Sequence, residues 1–348
     1  MKRWFTVLLF CSLLPAQEPD HSRAVEAQVA ALHRTVLVDG SPYPATITRP
    51  QAEGRFPAVF LIAGLGCYSL ENAAPDDPYS QLLDGLTRAG FVTMRVDKIP
   101  QKVDGDKNQN QGPPCDSPQS DLQFAVRRSL AGLNALAGYD FVDRDRIFIL
   151  AHSIGPLEGL LVVQKFLVRG FIAAETIGKS WIEYELENTR HQLRLFDVPY
   201  DEIDRTARVT ERCQHRFLVE KQTPEEILKD SPECKASVNT FGVSYTYLQQ
   251  IADLDLAVEW KKVSIPVLVT YGTSDPSTTP EESRYLVDMI NGLHPGRAAY
   301  VELPGMGHGL DRSPSQRAWL ESIQKHQHGP FDTEFLDRVL AWMKTLLP

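Results

Sequence analysis

Three residues of this chain carry side chains that together could break an acyl bond: Ser153, Asp275 and His308. A serine hydroxyl is a poor nucleophile unless a base takes its proton during attack. An imidazole base in turn needs a carboxylate to hold its tautomer and stabilise the imidazolium. The serine lies in Ala151-His-Ser-Ile-Gly155, between the apolar run Arg146-Ile-Phe-Ile-Leu150 and a second apolar run that begins at Pro156. A serine on a sharp turn from a buried strand to a buried helix, with small residues two before and two after it, is the nucleophile-elbow pattern. Ala151 stands at the first of those positions, where glycine is usual.

His308 falls in the turn Pro304-Gly-Met-Gly-His-Gly309, and Asp275 in Gly272-Thr-Ser-Asp-Pro276, each directly after an apolar run. His308 is the candidate base and Asp275 its candidate orienter. His152 is expected to point away from its serine neighbour and to serve packing. His326 and His328 lie in a polar loop, and His33, His191, His215 and His294 have no supporting context. Acyl transfer also develops negative charge on the carbonyl oxygen, and each backbone N–H aimed at it is worth about 3 kcal/mol. Ile154, after the serine, can give one. Leu65 in Ala63-Gly-Leu-Gly66 can give the other, because its flanking glycines let the backbone approach a substrate closely.

These groups need elements to position them. Residues 33–40 and 42–49 are β-rich runs around Asp39-Gly40-Ser41, a hairpin signal. Residues 58–63 form a near-continuous apolar run, the mark of a strand covered on both faces. A helix over 79–89, a strand over 91–96, a polar loop over 100–120 and a helix capped by Asp121 follow. The elbow strand and helix come next, then a strand over 170–177. Between 179 and 262 the pattern changes to charged helices, over 181–195, 224–229 and 245–260, read as a helical cap insertion. Trp181, Tyr184 and Leu193 on it are candidates to line an acyl pocket. Strands at 266–271 and 299–303, a helix at 280–293 and a closing helix at 333–347 complete the chain. Such alternation implies an α/β fold with a mostly parallel, doubly covered sheet whose ligands bind at the carboxyl ends of the strands. The three reactive residues and the Gly64 turn all follow predicted strands.

The totals bound the function. The 348 residues carry 36 basic and 45 acidic side chains, a net charge of -9, which argues against a nucleic-acid partner. Mean hydropathy of -0.25 and the absence of a long apolar run after residue 16 argue against an integral membrane segment in the mature chain. Residues 1–16 read as a signal peptide, with Lys2-Arg3, an apolar stretch from Trp4 to Leu14, and Ala16 before the cut. The core is then 17–178 with 263–348, its first residues, 17–32, being a surface helix or an ordered tail. The protein is expected to be exported, periplasmic or extracellular. Removing Cys11 leaves Cys67, Cys115, Cys213 and Cys234, for which three disulfide connectivities are possible. Cys67–Cys115 with Cys213–Cys234 keeps each pair within one region of the chain. No Cys-x-x-Cys or Cys/His ligand spacing occurs, so neither a metal nor another cofactor is expected.

The chain resembles the α/β-hydrolase fold superfamily. More narrowly it is similar to exported bacterial serine hydrolases related to dienelactone-hydrolase and prolyl-oligopeptidase-type catalytic domains. The resemblance spans roughly residues 35 to 347. It rests on Phe56 to Cys67, on Gly112-Pro-Pro-Cys115, on Arg146 to Gly155, on Lys179, Trp181, Tyr184, Asn188 and Thr189, and on the strand ends with Asp275 and His308. It implies a catalytic triad of Ser153, Asp275 and His308, in the chain order usual for that fold, and an oxyanion hole at Leu65 and Ile154. Ala63-Gly64 replaces the common His-Gly, and Pro156 the glycine that often follows the elbow; neither removes a reacting atom. The expected function is hydrolysis of an ester or related acyl bond of a small molecule through an acyl-enzyme. Two readings compete with it: a serine peptidase, and a hydrolase-like scaffold used only for binding.

Overall fold

A strand covered on both faces must be apolar along its covered stretch, as residues 58–62, 147–151 and 170–174 of this protein are. The computed structural model describes residues 29–71, 73–101 and 113–347. The expected signal peptide at 1–16, most of the expected N-terminal helix or tail, and much of the polar loop before Pro113 lie outside the described residues.

Strands β1 (Val29–Val38) and β2 (Ser41–Pro50) form an antiparallel hairpin. Its turn is left-handed at Asp39 and Gly40 (φ 50° and 82°), as the sequence anticipates. Then come β3 (Phe56–Ile62), α1 (Pro78–Arg88), β4 (Val92–Val96), α2 (Leu122–Ala137), β5 (Val142–His152), α3 (Gly155–Val162) and β6 (Gly170–Ala174). A helical insertion follows: α4 (Trp181–Leu195), α5 (Tyr200–Gln214) with a π-helical turn at His215–Val219, α6 (Pro224–Asp230), α7 (Tyr245–Ala252) and α8 (Leu256–Trp260). The chain closes with β7 (Val267–Gly272), α9 (Pro280–Leu293), β8 (Ala298–Leu303), α10 (Gln316–Gln324) and α11 (Thr333–Thr345).

The eight strands form one sheet in the order β1-β2-β4-β3-β5-β6-β7-β8. It is parallel from β4 to β8 and antiparallel only where the hairpin joins it. Alternate side chains go to opposite faces. Phe60 and Ile149 pack with Leu133 of α2, Leu160 of α3 and Trp260 of α8. Their neighbours Leu61 and Leu150 pack with Leu82 of α1 and Phe335 of α11. Both layers are apolar, and Ala58–Ile62 of β3, Ile147–Ala151 of β5 and all of β6 carry no polar side chain. No helix among the described residues is long and apolar enough to cross a membrane.

Several element boundaries differ from the sequence expectation. The helix expected over 245–260 is two, because Asp255 accepts the Val258 N–H (3.1 Å) and starts a new helix after a break. Strand β6 ends at Ala174 rather than Ile177, because Glu175 takes a left-handed backbone (φ 49°). Helices α5 and α10 were not anticipated. The first is mostly charged, with a narrow buried stripe at Ile203, Ala207 and Cys213.

Cys67 is bonded to Cys115, and Cys213 to Cys234. The second bridge ties α5 to a short turn at Pro232–Lys235 within the insertion. A disulfide stabilises mainly by restricting the unfolded chain. For this 21-residue separation, the Cys213→Ala/Cys234→Ala double variant is expected to lose about 3 kcal/mol of unfolding free energy. Urea denaturation of both proteins measures it.

Candidate active site

The elbow is built by close packing. Ser153 has a left-handed backbone, φ 63°, an uncommon conformation for a residue with a side chain. Its N–H donates to the Ala174 carbonyl of β6 (2.9 Å), which anchors the turn to the sheet. A Cβ on Gly155 would lie 2.6 Å from the Ile62 carbonyl oxygen, and one on Gly64 would lie 2.9 Å from the Ser153 Cβ. Only glycine fits at these two places. Ala151, by contrast, sits fully buried within β5, paired with Ile62, and its methyl is accommodated.

The three residues singled out by sequence meet at the strand ends. His308 lies between the other two: its Nε2 is 2.9 Å from Ser153 Oγ and its Nδ1 2.9 Å from Asp275 Oδ2. Asp275 is fully buried and well supplied with donors. Its Oδ1 accepts from the Ser277 N–H (2.6 Å), and its Oδ2 from the Thr278 hydroxyl (2.6 Å). Burial disfavours the Asp275 carboxylate, but His308 and these donors outweigh it and hold its pKa below the usual carboxylate value. For His308 burial works against the imidazolium, and the facing Asp275 carboxylate reverses this to a net rise above 6.5. The arrangement fits an Nδ1–H donated to Asp275 and an Nε2 lone pair facing the Ser153 hydroxyl.

A second layer escaped the sequence reading. His152 does not simply pack away from the serine. Its Nδ1 is 2.6 Å from the Tyr79 hydroxyl, and its Nε2 is 2.7 Å from the His308 carbonyl oxygen. The Tyr79 oxygen also accepts the Gly64 N–H (3.1 Å). A carbonyl can only accept, so His152 carries its proton on Nε2 and takes the Tyr79 O–H at Nδ1. One hydrogen-bonded chain therefore joins the Gly64 turn to the loop holding His308. Burial, and then the neighbouring His308, hold the His152 pKa down to about 3.

Lys98, at the start of the loop after β4, donates through Nζ to the carbonyls of Gly64 and Gly66 (3.1 Å to the latter). In a planar trans peptide the C=O of one residue and the N–H of the next point in opposite directions. Fixing the Gly64 carbonyl on Lys98 therefore aims the Leu65 N–H to the other side of the turn. Leu65 and Ile154 both line the cavity that holds Ser153 and His308. Among the described residues no acceptor meets either N–H. Burial, with repulsion from Arg128, lowers the Lys98 pKa to about 7.

Glu175 follows β6 and is fully buried beside Asp275. Its carboxyl accepts from the Gly272 N–H (2.7 Å) and the Thr270 hydroxyl (3.2 Å). Burial, and then the charge of Asp275, push its pKa well above the usual value. Two adjacent carboxyls in one dry site do not both ionise; Glu175 keeps its proton and Asp275 is the anion.

The cavity over these groups holds about 500 Å³. Of the three cap residues singled out by sequence, Trp181 and Tyr184 line it and Leu193 does not. Glu185, Asn188, Thr189 and Gln192 line it as well. Together with Trp181 and Tyr184 they form one stripe of α4 at helical spacing.

No protein-family model matches the chain. Esterase EstD of Thermotoga maritima is 20% identical over 313 residues, which cover 89% of this chain and 67% of that protein. Est1E of Butyrivibrio proteoclasticus has a similar structure, with a TM-score of 0.53 at 16% identity, covering 90% of this chain and 98% of that one. Proline iminopeptidase of Mycobacterium smegmatis gives 0.54 at 17% identity, again over 90% and 98%. With the sheet order and the crossovers described above, these likenesses establish the α/β-hydrolase fold.

The His152 chain has a consequence for stability. In the unfolded chain a histidine takes up a proton below about pH 6.5. In the fold His152 stays neutral down to about pH 3. Its contribution is thus present above pH 6.5 and is lost as the pH falls. His152→Gln is expected to be destabilised most at pH 7 to 8, and the gap in melting temperature to wild type to shrink on acidification towards pH 4. Thermal melts across that range test it.

Proposed function

We propose that this α/β-hydrolase-fold protein is a serine hydrolase that cleaves a carboxylic ester or related acyl bond through an acyl-enzyme on Ser153. The observation that carries the reading is the position of His308, 2.9 Å from both Ser153 Oγ and Asp275 Oδ2. In this reading Ser153 Oγ attacks the substrate carbonyl carbon as His308 Nε2 takes its proton, and the buried Asp275 carboxylate stabilises the imidazolium. The oxyanion that forms is held by the N–H groups of Leu65 and Ile154, a reading supported by both residues lining the cavity at Ser153. The intermediate collapses, the alcohol leaves with the proton from His308, and an ester now links the acyl group to Ser153. Water, deprotonated by His308, repeats the sequence and frees the acid and the serine.

Esterase activity is favoured over the peptidase reading because the sequence likeness over most of the chain is to an esterase. The peptidase reading retains support from the structural likeness to proline iminopeptidase. The insertion at residues 179–262 acts as a cap that selects the substrate, supported by the face α4 turns to the cavity. We further assign residues 1–16 to a cleaved signal peptide and the mature protein to an oxidising compartment, periplasmic or extracellular. The two disulfides are consistent with that location.

A fluorophosphonate probe should label wild type and leave Ser153→Ala unlabelled; equal labelling of the two would overturn the assignment. Turnover of p-nitrophenyl acetate by Ser153→Ala should fall by on the order of 10⁴-fold or more. Parallel assays with aminoacyl p-nitroanilides separate ester from peptide cleavage. Because the base must be neutral, and the His308 pKa is raised above 6.5, kcat/KM should decline as pH falls through a midpoint above that value.

Lys98→Met releases the Gly64 carbonyl without touching a reacting group. It should lower kcat by about 10- to 100-fold, short of the loss expected for deleting an oxyanion donor, with KM little changed. Steady-state kinetics with the same ester read the split.

A further inference from the structure

The stripe that α4 turns toward Ser153 carries two aromatic rings, one carboxylate and three uncharged polar side chains. Glu185 lines the cavity, and no cation or hydrogen-bond donor among the described residues meets its carboxyl. One helical turn further on, Asn188 donates through Nδ2 to the Tyr184 hydroxyl (3.3 Å), leaving its buried Oδ1 without a partner. Trp181 and Tyr184 stand beside them as a tilted pair with ring centroids 5.1 Å apart. Phe241 is an exposed aromatic residue on the same cavity wall. Among the described residues no Lys or Arg lines this cavity, and its acidic side chains are Glu175 and Glu185.

Each of these features is costly when empty and useful when filled by one kind of group. A carboxylate half-buried without a counter-charge is disfavoured, and this partial desolvation raises the Glu185 pKa to about 7. A buried amide oxygen without a donor is a lost hydrogen bond. Aromatic faces attract cations, and a site of rings plus a carboxylate suits an alkylammonium. A carboxylate-bearing substrate would meet repulsion here and, among the described residues, no positive side chain to pair with.

We infer that the α4 face is a cation subsite, and that the preferred substrates are esters carrying a protonated or quaternary alkylammonium group, held by Glu185 against Trp181 and Tyr184. This rests on the serine-hydrolase reading for its chemistry, but the subsite can be read by binding alone. Two matched pairs separate the two kinds of cation and the two sides of the ester. Acetylcholine against 3,3-dimethylbutyl acetate exchanges a quaternary nitrogen for carbon on the alcohol side. Methyl β-alaninate against methyl butanoate exchanges a primary ammonium for a methyl group on the acyl side.

In wild type the charged member of at least one pair should have a kcat/KM about tenfold or more above that of its neutral partner. In Glu185→Gln that ratio should fall close to one, and Glu185→Asp should restore part of it. Because each ratio is taken within one protein, a general loss of activity in a variant does not alter it. The same compounds titrated calorimetrically into Ser153→Ala give the binding preference independently of turnover. If wild type turns over neither ester but Ser153→Ala binds the charged member more tightly, the hydrolase reading fails and the cation subsite stands. Equal binding within both pairs, or a preference that survives Glu185→Gln, overturns the inference.

Discussion

The left-handed backbone at Ser153 is the constraint on which this site depends. A non-glycine residue held there costs of order 1–3 kcal/mol, so the surroundings must enforce it. They do so from three sides. The Ser153 N–H is bound to the end of β6, Gly155 lets α3 close on the Ile62 carbonyl, and Gly64 leaves room for the Ser153 Cβ. The sheet supplies all three contacts, since β3, β5 and β6 are adjacent. The strain at one residue is thus supported by the packed core of the whole protein, and the hydroxyl it presents stands clear of the sheet at the mouth of a cavity.

A second layer joins parts that sequence order keeps far apart. The Gly64 turn follows β3, Tyr79 begins α1, His152 ends β5, and His308 follows β8. Their hydrogen bonds run in one chain from the Gly64 N–H to the His308 carbonyl. The turn that carries Leu65 and the loop that carries His308 are therefore held relative to one another, not merely to the sheet. Glu175 adds an electrostatic element. A protonated carboxyl fills the space next to Asp275 without adding a second negative charge, so the charge beneath His308 remains on one residue.

The ends of β5 and β7 were legible because burial on both faces leaves apolar runs before Ser153 and Asp275, whereas β8 before His308 is a partly exposed edge strand read from its alternation and the Gly-rich turn that follows. The disulfide pairs followed from proximity along the chain. His152 was misjudged because alternation along a strand sets only which face a residue leaves by, whereas its ring reaches two loops contributed by distant segments. Lys98 resembled an ordinary basic residue at a strand end. What makes it distinctive is the pair of carbonyls turned toward it, which no spacing reveals. Glu175 was read as part of a longer strand, since a single acid in an apolar run gives no sign of which neighbour will hold its proton. In the insertion, α5 was missed because its apolar stripe is too narrow to stand out from its charges.

The stripe on α4 separates two tasks that many enzymes mix. Groups that would break a bond sit on the ends of core strands, and groups that would choose the molecule sit on one exposed-side helix whose ends are capped locally, Ser180 and Glu183 forming a reciprocal box at its start. Of its six cavity-lining positions, Trp181 and Tyr184 also pack into the buried layer beneath and Gln192 bonds the Pro276 carbonyl, whereas Glu185 and Thr189 face the cavity without such ties. The chemistry proposed for the strand ends and the selectivity proposed for α4 therefore rest on different parts of the chain, so that substitutions at Glu185 and Thr189 would change the cavity wall while leaving the turn at Ser153 as it is.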